Sequence, residues 1–332
     1  MLDEKKPLVS ICVLTYQHEK YIEQALDSFL SQETTFPFEI VIHDDASKDK
    51  TAEIIRRYAE QYPDIVKPLL QEKNQFSQGI FNVSGVYNYP RARGKYIAFC
   101  DGDDFWTDVH KLQRQVDYME AHPECTLAIH AAMFVAEDGT PTGEMRPYSE
   151  DRTLTMEDVI LARSQYPSSS MLFQTELAQS LPEFYYQAPV GDVPLHLAMA
   201  IKGTVYYDNT IMSVYRLGAP ESWVTTLAKG NRLERQKKEL SHNIAMRQMY
   251  ERIDVHTDYQ YHKAIAATLL RWEFKYHLHA EDYKSAMGKQ YKEIRQSEYG
   301  FVDRCYILFR SLIPGKIYNG VRDRLAAMKG NK

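Results

Sequence analysis

The first hundred residues of the chain alternate short, continuous apolar runs with longer stretches in which apolar and polar residues mix. The continuous runs are Leu8–Thr15, Phe38–His43, Val66–Leu70 and Tyr96–Cys100. An apolar run of this length is typical of a parallel strand that is covered on both faces. Strands separated by helical crossovers predict an α/β chain with an open, mostly parallel sheet and helices on both faces.

The stretches between these runs predict the crossover helices. In Glu19–Ser31 the apolar residues form one helical stripe. A helix over Lys50–Gln61 follows Asp49, which is a suitable N-cap residue. Beyond residue 105 the pattern is mixed, and we expect a helix near Val109–Ala121, a strand over Leu127–Phe134 and a turn over Glu137–Thr142.

From about residue 229 the sequence becomes helical. Apolar residues recur at spacings of three and four over Arg232–Ile253, Tyr259–His277 and Ala280–Ser297. We therefore expect a domain of residues 1–220 and a helical C-terminal region of residues 221–332, with the boundary between residues 217 and 229.

Composition argues against several classes of protein. A net charge of −5 gives no reason to expect a nucleic-acid partner. The four cysteines lack CxxC spacing, which argues against zinc sites and disulfides and for a reducing, cytoplasmic location. Cys12 and Cys100 lie within predicted strands and are expected to be buried. We expect no signal peptide, and no run reaches the ~18 apolar residues of a membrane span.

Polar clusters follow three of the predicted strands. They read Thr15-Tyr16-Gln17, His43-Asp44-Asp45-Ala46-Ser47 and Asp101-Gly102-Asp103-Asp104. The carboxyl ends of parallel strands meet at one edge of the sheet, where ligands bind. Five carboxylates at one edge repel one another unless a cation or hydrogen-bond donors offset their charge. Oxygen ligands favour Mg²⁺ or Mn²⁺, and such ions commonly bridge a protein carboxylate to substrate phosphates.

The same residues also have a simpler interpretation. Asp and Ser at strand ends often cap the following helix or form turns, which would suffice for Ser47 and Asp49. Capping explains the run Asp101–Asp104 less well, because a cap uses one carboxylate and this run has three.

Three segments taken together resemble a known family. Val9–Gln17, Glu39–Ser47 and Gly94–Trp106 follow one another at the intervals of the family 2 glycosyltransferases with the GT-A fold. The resemblance is close over about residues 7–125 and weaker to about residue 225. It implies a Rossmann-like catalytic domain over residues 1–220, with a nucleotide-binding half at about 7–125, an acceptor half at about 126–220, and a C-terminal helical extension.

The resemblance implies a role for most residues of the polar clusters. The implied site has Thr15 and Tyr16 at the base pocket, Asp45 and Asp44 on the uracil or other base, Asp101 on the ribose, and Asp103 on a Mn²⁺ or Mg²⁺ ion that bridges the diphosphate. Such an ion stabilises the negative charge of the leaving nucleoside diphosphate.

The reaction also needs a base that removes the proton of the acceptor hydroxyl. Asp192 resembles the acidic residue that precedes an apolar helix in the family, and we expect it to be this base. It could also be the N-cap of a helix over Val193–Ile201, and the two roles are compatible. His196 follows on that helix and is expected to be a packed or surface residue.

Three further features each leave two interpretations open. Arg216 would contact the donor phosphates or lie at the surface. Trp106 would stack on a sugar face or belong to the core. The segment Tyr166–Ser170 resembles a loop that contacts acceptor or diphosphate, and a plain turn before a strand explains it equally well.

The resemblance implies an inverting, metal-dependent transferase. It would move one sugar from a nucleotide diphosphate sugar, with a UDP-sugar the expected donor, to a glycan or lipid-linked acceptor in polysaccharide or cell-envelope assembly. The Gln-x-x-Arg-Trp motif of processive synthases is absent, which favours addition of a single sugar.

The sequence leaves two other functional classes open and disfavours a third. A non-catalytic nucleotide- or carbohydrate-binding module and a phosphohydrolase that uses the Asp-x-Asp cluster stay open. A nucleotide-cofactor dehydrogenase is disfavoured, because it needs a glycine-rich turn after the first strand and the first glycine of this chain is Gly79.

The tail, Phe301–Lys332, is basic and contains many apolar residues. Its seven Lys and Arg residues stand against two Asp residues, a net charge of +5. Such a segment suits the surface of an anionic membrane, here the inner face of the cell membrane. A helix packed on the catalytic domain with a solvated basic face explains the tail as well, and Pro314-Gly315 argues against one long helix.

Overall fold

The apolar runs of the N-terminal half form one sheet in the computed structural model, which describes residues 6–162, 166–220, 222–313 and 318. The chain divides into two units, Met1–Thr226 and Leu227–Lys332. The first unit holds the sheet and the second is helical, as the sequence predicts.

Among the described residues, ten strands form the sheet. They are β1 (Val9–Thr15), β2 (Phe38–Asp44), β3 (Val66–Leu70), β4 (Tyr96–Asp101), β5 (Phe105–Trp106), β6 (Cys125–Val135), β7 (Pro141–Met145), β8 (Arg152–Leu154), β9 (Leu172–Gln174) and β10 (Thr204–Arg216).

Helices connect and cover these strands in the first unit. They are α1 (Ile22–Leu30), α2 (Thr51–Gln61), α3 (Val83–Tyr87), α4 (Lys111–Ala121), α5 (Met156–Leu161), α6 (Thr175–Ala178), α7 (Glu183–Tyr186) and α8 (Asp192–Lys202), and α9 (Trp223–Ala228) follows at the division between the units. The second unit contains α10 (Arg232–His256), α11 (His262–His279), α12 (Tyr283–Ala286), α13 (Lys292–Glu298) and α14 (Phe301–Leu312).

The sheet combines a parallel half with a mixed half. Its order is β3-β2-β1-β4-β9-β6-β10-β5, with β7 beside β6 and β8 beside β10. The first four strands in this order are all parallel, as predicted. From β9 onward antiparallel pairs appear, although β6 and β10 remain parallel to each other.

The core of the first unit explains why these segments fold as they do. Val9, Ile11 and Val13 of β1 are fully buried and share a hydrophobic cluster with Ile22 and Leu26 of α1. Burying one such side chain contributes about 1.5–3 kcal/mol. Cys12 and Cys100 are buried in β1 and β4, as the predicted strands require.

The first helix begins later than predicted, at Ile22 and not at Glu19. Gln17 has a φ of +61°, which a helix does not allow. The N–H of His18 donates to Thr51 Oγ1 at 2.8 Å, and the N–H of Glu19 donates to Asp49 Oδ2 at 3.0 Å. These contacts hold the residues before Ile22 in a turn.

Asp49 is not the N-cap of α2, since the helix begins at Thr51 and its N-cap is Lys50. The Asp49 carboxylate accepts the N–H of Thr51 as well as that of Glu19. It therefore joins the turn after β1 to the start of α2, a contact between distant segments that local spacing does not reveal.

The second unit contradicts one predicted helix. In place of a single helix over Ala280–Ser297, the chain forms α12, a short 3-10 turn over Lys289–Tyr291, and α13. The break occurs at Gly288, whose extended conformation ends the helical path and whose residue type is a weak helix former. No helix of the described part of the chain is long and apolar enough to cross a bilayer.

We expect Gly94→Ala to destabilise the first unit. A Cβ atom at position 94 would lie 2.7 Å from the backbone N of Ser10 and 2.8 Å from the carbonyl carbon of Val9, and backbone atoms of β1 cannot move without disturbing the sheet. We expect a loss of about 1–3 kcal/mol in the free energy of unfolding, measured by urea denaturation.

Gly143→Ala is the matched control for this substitution. Its added Cβ would meet only a ring carbon of Phe134, at 3.9 Å, which is ordinary van der Waals contact. Equal stability of the two variants would show that the close approach at Gly94 does not exist.

Candidate functional site

The three polar clusters lie at one edge of the sheet. In the strand register Thr15 is opposite Asp44, and Leu14 is opposite Asp101. The carboxyl ends of β1, β2 and β4 therefore coincide, which is the place where open α/β sheets bind ligands.

Asp101 is the last residue of β4 and faces other carboxylates. Burial and then the charge of Asp103 raise the pKa of Asp101 to about 8, and the charge of Asp192 adds to the increase. The Ser168 hydroxyl donates to Asp101 Oδ2 at 3.2 Å, which acts in the opposite direction. The loop before β9 thus contributes to the site, and Tyr166–Ser170 is more than a plain turn.

Asp104 supports the cluster from beneath. It is 3% exposed, and its Oδ1 accepts the backbone N–H of Arg216 at 2.8 Å. Burial and the charges of Asp103 and Asp101 raise the pKa of Asp104 well above the ordinary value. A carboxyl group in this position anchors the loop after β4 and is not available to a ligand.

Asp103 lies beside a histidine that the sequence reasoning missed. His18 Nε2 is 3.8 Å from Asp103 Oδ2, and both side chains are about nine-tenths enclosed. His18 Nδ1 is buried without a hydrogen-bond partner. A Cβ at Gly102 would lie 3.0 Å from this nitrogen, so the ring packs directly on the loop after β4. The position of His18 just after the first polar cluster is the signal that could have identified it.

Asp192 joins the same group from another part of the chain. It is the first residue of α8, where Gly191 is the N-cap, so the N-cap interpretation of Asp192 is wrong. Its Oδ1 accepts the N–H of Val193 at 2.8 Å, and burial raises the pKa of Asp192. Its charge is one of the causes that raise the pKa of Asp101.

Tyr215 is a second residue that the sequence did not reveal. Burial, followed by the charges of Asp104, Asp101, Asp103 and Asp192, raises the pKa of its phenol. The raised pKa keeps this phenol neutral at neutral pH, so it adds no negative charge. Tyr215 belongs to β10, far from the cluster in sequence, and a Val-Tyr-Arg segment has no local feature that marks it.

Thr15 and Asp44 face each other below the surface of this edge. Both are buried, and Thr15 Oγ1 donates to Asp44 Oδ1 at 3.0 Å. Ser47 donates its N–H and its hydroxyl to the same carboxylate. These two residues shape the turn after β2, whereas Tyr16 is partly exposed at the end of β1.

Asp45 is held by the loop that follows β3. Its Oδ1 accepts the N–H of Gln75 at 2.7 Å and its Oδ2 accepts that of Phe76 at 3.1 Å. Burial alone would raise the pKa of Asp45, but His43, whose Nε2 is 3.6 Å from Asp45 Oδ1, and the hydrogen bonds from these two amides together lower it. Asp45 therefore carries its negative charge in an enclosed position.

Arg216 is buried, so its interpretation as a surface residue is wrong. Its guanidinium donates to the carbonyl oxygens of Asp103, at 3.0 Å, and Glu137, at 3.1 Å, and to Gln24 Oε1, at 3.1 Å. It also lies over the ring of Tyr21, 4.7 Å from the centroid. One side chain thus joins the loop after β4, helix α1 and the β6–β7 turn.

A cavity of about 560 Å³ lies on the other side of Arg216. Its lining residues are Lys20, Tyr21, Gln24, Phe105, Glu137, Asp138, Gly139 and Arg216. None of the carboxylates after β4 lines it, so the cavity is separate from the carboxylate cluster. The two regions meet at Arg216, which bonds the backbone of Asp103.

Two aromatic features belong to the core. Trp106 is 4% exposed, donates from Nε1 to the Ser169 carbonyl and packs its ring on Phe29, so its interpretation as a sugar-stacking residue is wrong. His196 is buried with its ring against Tyr166, and burial lowers its pKa to about 3. It is a packed residue, as expected.

The donor set fits a metal ion that a substrate completes. Among the described residues, no group of three or more His, Cys, Asp and Glu side chains forms a ready metal cage. Mg²⁺ and related ions are usually held by one or two carboxylates together with substrate phosphates. Asp101 and Asp103, whose repulsion the Ser168 hydroxyl only partly offsets, have this character.

Comparison with known proteins also indicates a glycosyltransferase. Residues 10–169 match the family model described as Glycosyl transferase family 2. An uncharacterized protein of Mycobacterium tuberculosis is 37% identical over 219 residues, which are 65% of this chain and 60% of that protein. The chain thus spans less than two thirds of the length of this relative.

Two solved structures confirm the GT-A fold. The S. aureus TarS segment 1–349 in complex with UDP-GlcNAc gives a TM-score of 0.52 at 17% identity, covering 84% of this chain and 81% of that one. The mannosyltransferase PcManGT from Pyrobaculum calidifontis, in complex with GDP-Man and Mn²⁺, gives 0.50 at 18% identity, covering 92% and 86%.

We expect the metal-free protein to lose stability as pH rises through the titration of Asp101. The pKa of Asp101 is about 8 in the folded chain, whereas an unfolded chain titrates an Asp near ~3.9. Between these values the folded state holds the extra proton, so the titration of Asp101 by itself removes at most about 1.4 kcal/mol of stability per added pH unit, and the raised pKa values of Asp104 and Asp192 act in the same direction. Urea unfolding in EDTA at about pH 5 and about pH 8 measures the effect.

Asp101→Asn cannot ionise and should lose less stability than the wild type over the same interval. Asp64→Asn removes an exposed carboxylate before β3 and should follow the wild type. A loss in Asp101→Asn as large as that of the wild type would contradict the raised pKa.

Proposed function

Because residues 10–169 belong to glycosyl transferase family 2, we propose that this chain transfers a single sugar from a nucleotide diphosphate sugar to an acceptor hydroxyl. The transfer inverts the configuration at the anomeric carbon, because it is a single in-line displacement. The observation that carries the proposal is a group of three carboxylates. Asp101 ends β4, Asp103 lies in the loop that follows it, and Asp192 begins α8.

We assign Asp103, with Asp101 beside it, to a Mn²⁺ or Mg²⁺ ion. When bound, such an ion offsets the negative charge of the diphosphate as it leaves. The support is the chemistry of the donor set, which consists of crowded carboxylate oxygens. That the mannosyltransferase of the same fold was solved with Mn²⁺ and a nucleotide sugar agrees with this assignment.

Asp192 is the proposed general base. Burial raises its pKa, which makes the carboxylate a better proton acceptor. The acceptor hydroxyl transfers its proton to Asp192 while its oxygen bonds to the anomeric carbon. The bond from that carbon to the β-phosphate oxygen breaks, and its electron pair leaves with the nucleoside diphosphate.

Tyr16 and Asp45 are proposed to contact the nucleotide base. Tyr16 is partly exposed at the end of β1, and Asp45 is a charged acceptor in an enclosed position. Thr15 and Asp44 would then support the wall of the base pocket through their mutual hydrogen bond. We expect uridine as the base, and a guanosine preference is the outcome that would correct this choice.

We propose that Arg216 supports the loop after β4, in place of the contact with the donor phosphates that the sequence suggests. Its guanidinium is already bonded to the backbone of Asp103 and Glu137 and to Gln24. In this position it sets the conformation of the loop that carries the metal-binding carboxylates.

The proposed acceptor is a glycan or a lipid-linked saccharide, as the family resemblance implies.

A phosphohydrolase is the second candidate that the aspartates suggest. The nucleophilic aspartate of such an enzyme is expected after an N-terminal strand, whereas Asp101 and Asp103 come at and after the end of the fourth strand, β4. A non-catalytic binding module would not need a base such as Asp192. Release of UDP from UDP-GlcNAc, without release of phosphate, separates the transferase from both alternatives.

We expect Asp103→Asn to remove the part of nucleotide binding that depends on the metal. Calorimetric titration with UDP should show tighter binding in Mn²⁺ than in EDTA for the wild type and equal binding for the variant, because the charge that holds the ion is gone. Asp64→Asn, which removes an exposed carboxylate outside the site, is the control and should retain the difference.

Asp103→Asn should also lose UDP release from UDP-GlcNAc while its unfolding midpoint stays near that of the wild type. Wild-type rates of UDP release in Mn²⁺ would remove Asp103 from the metal site.

We expect Asp192→Asn to keep donor affinity and lose turnover. Removal of a general base lowers rates by about 10²–10⁴-fold, measured as UDP release from UDP-GlcNAc or, in a parallel assay, GDP release from GDP-mannose. The UDP affinity in Mn²⁺, measured by calorimetry, should be within a few-fold of the wild type because Asp192 does not contact the diphosphate. If turnover per folded molecule were unchanged, Asp192 would only begin α8.

A further inference from the structure

Helix α14 exposes an apolar stripe to solvent. Its members are Phe301 (73% exposed), Val302 (77%), Leu308 (47%), Phe309 (52%) and Leu312 (75%), together with the exposed Cys305. At 3.6 residues per turn these six residues occupy about 120° of the helix circumference. They form one continuous face, which we call the α14 stripe, and not scattered exposed residues.

The opposite face of α14 is anchored in the second unit. Ile307 is 3% exposed and belongs to a hydrophobic cluster with Phe274, Tyr291 and Ile294. Because Ile307 lies on the side of the helix away from the α14 stripe, its burial sets the rotation of the helix. The stripe cannot turn inward without exposing this core residue.

Arg310 secures the same rotation. It is 4% exposed, and its guanidinium lies over the rings of Tyr283, at 4.4 Å, and Tyr318, at 3.6 Å. It also pairs with Glu281, with 3.6 Å between Nη2 and Oε2. A cation in contact with two rings and a carboxylate resists displacement more strongly than Ile307 alone.

The two units carry opposite charge. Residues 227–332 contain 21 Lys and Arg residues against 12 Asp and Glu residues, a net charge of +9, whereas residues 1–226 carry −14. Residues 314–332, directly after α14, contribute five of the basic residues and one acidic residue. Such asymmetry along one chain indicates a partner of negative charge for the basic unit.

We propose that the α14 stripe docks the second unit on an anionic lipid surface. The apolar side chains enter the boundary between headgroups and acyl chains, and the basic residues of the unit are attracted to the anionic headgroups. The proposal adds a location to the proposed function, since a lipid-linked acceptor lies at such a surface, but its test does not depend on catalysis.

A second copy of this chain is a less suitable occupant of the stripe. Pairing two stripes would bring together two units of +9 each, and their repulsion opposes the contact at moderate salt. A lipid surface covers the apolar residues and neutralises the basic ones at the same time.

Co-sedimentation of the full chain with vesicles tests the proposal. The vesicles are phosphatidylcholine, with or without phosphatidylglycerol, at about 0.1 M and about 1 M salt. We expect binding to the phosphatidylglycerol vesicles that weakens at high salt. Failure of the wild-type chain to bind them at low salt overturns the proposal.

A triple variant and a matched control isolate the stripe. Val302→Ser, Leu308→Ser and Leu312→Ser combined should lower the vesicle partition coefficient by about tenfold or more. The control combines Leu233→Ser, Ile244→Ser and Val255→Ser, which replace three exposed apolar residues of α10, and should bind like the wild type. Equal binding of the two triple variants overturns the role of α14.

Two further measurements complete the interpretation. Sedimentation velocity should show the same monomeric mass for the wild type and the stripe variant, and a dimer that only the wild type forms would assign the stripe to self-association and overturn the proposal. UDP binding in Mn²⁺ should be unchanged in the stripe variant, so loss of vesicle binding and failure of the proposed transferase function remain distinct results.

Discussion

Mutual repulsion among carboxylates at one edge of the sheet is the constraint on which the rest of the site depends. Asp101, Asp103 and Asp104 come directly after β4, and Asp192 begins α8 beside them. Burial and neighbouring charge raise the pKa values of Asp101 and Asp104, and burial raises that of Asp192. Folding must therefore hold together groups that would separate in water, and a bound cation relieves the repulsion. The electrostatic cost of the apo site and the proposed affinity for a metal–diphosphate complex have the same physical origin.

Arg216 is the cation that the fold itself places beside these carboxylates. Its backbone N–H bonds Asp104, and its guanidinium bonds the carbonyl oxygen of Asp103. It also reaches Gln24 of α1 and the carbonyl of Glu137, so three segments remote in sequence meet at one cation. Because the guanidinium bonds backbone oxygens and leaves the side chain of Asp103 free, it orders the loop without neutralising the carboxylate that we assign to the metal. Arg216 thus orders the loop while its guanidinium does not pair with the Asp103 carboxylate.

The elements that the sequence predicts well are those with a local physical signal. The run Val66–Leu70 is β3 without change, and the other early strands differ from prediction by a residue at an end. Errors arose where distant contacts decide the outcome. The start of α1 is displaced by the hydrogen bonds from its turn to Asp49 and Thr51, and Trp106 is core because Phe29 and Ser169 enclose it. The helix predicted over Ala280–Ser297 is wrong for a different reason, because its apolar periodicity continues through Gly288, a single weak helix former at which the chain breaks.

The sequence by itself determined the order of the first four strands and of helices α1 and α2, the parallel half of the sheet and the convergence of its polar strand ends, because apolar periodicity is a property of neighbouring residues. Through motifs it also predicts Asp101, Asp103 and Asp192 as site residues, and these stay predictions. Only the tertiary structure decided that His18 lies beside Asp103, that Thr15 and Asp44 pair, and that Arg216 is buried against the backbone of Asp103. These facts depend on which side chains meet across the sheet, and a distance between segments separated by tens or hundreds of residues is not encoded in any local pattern.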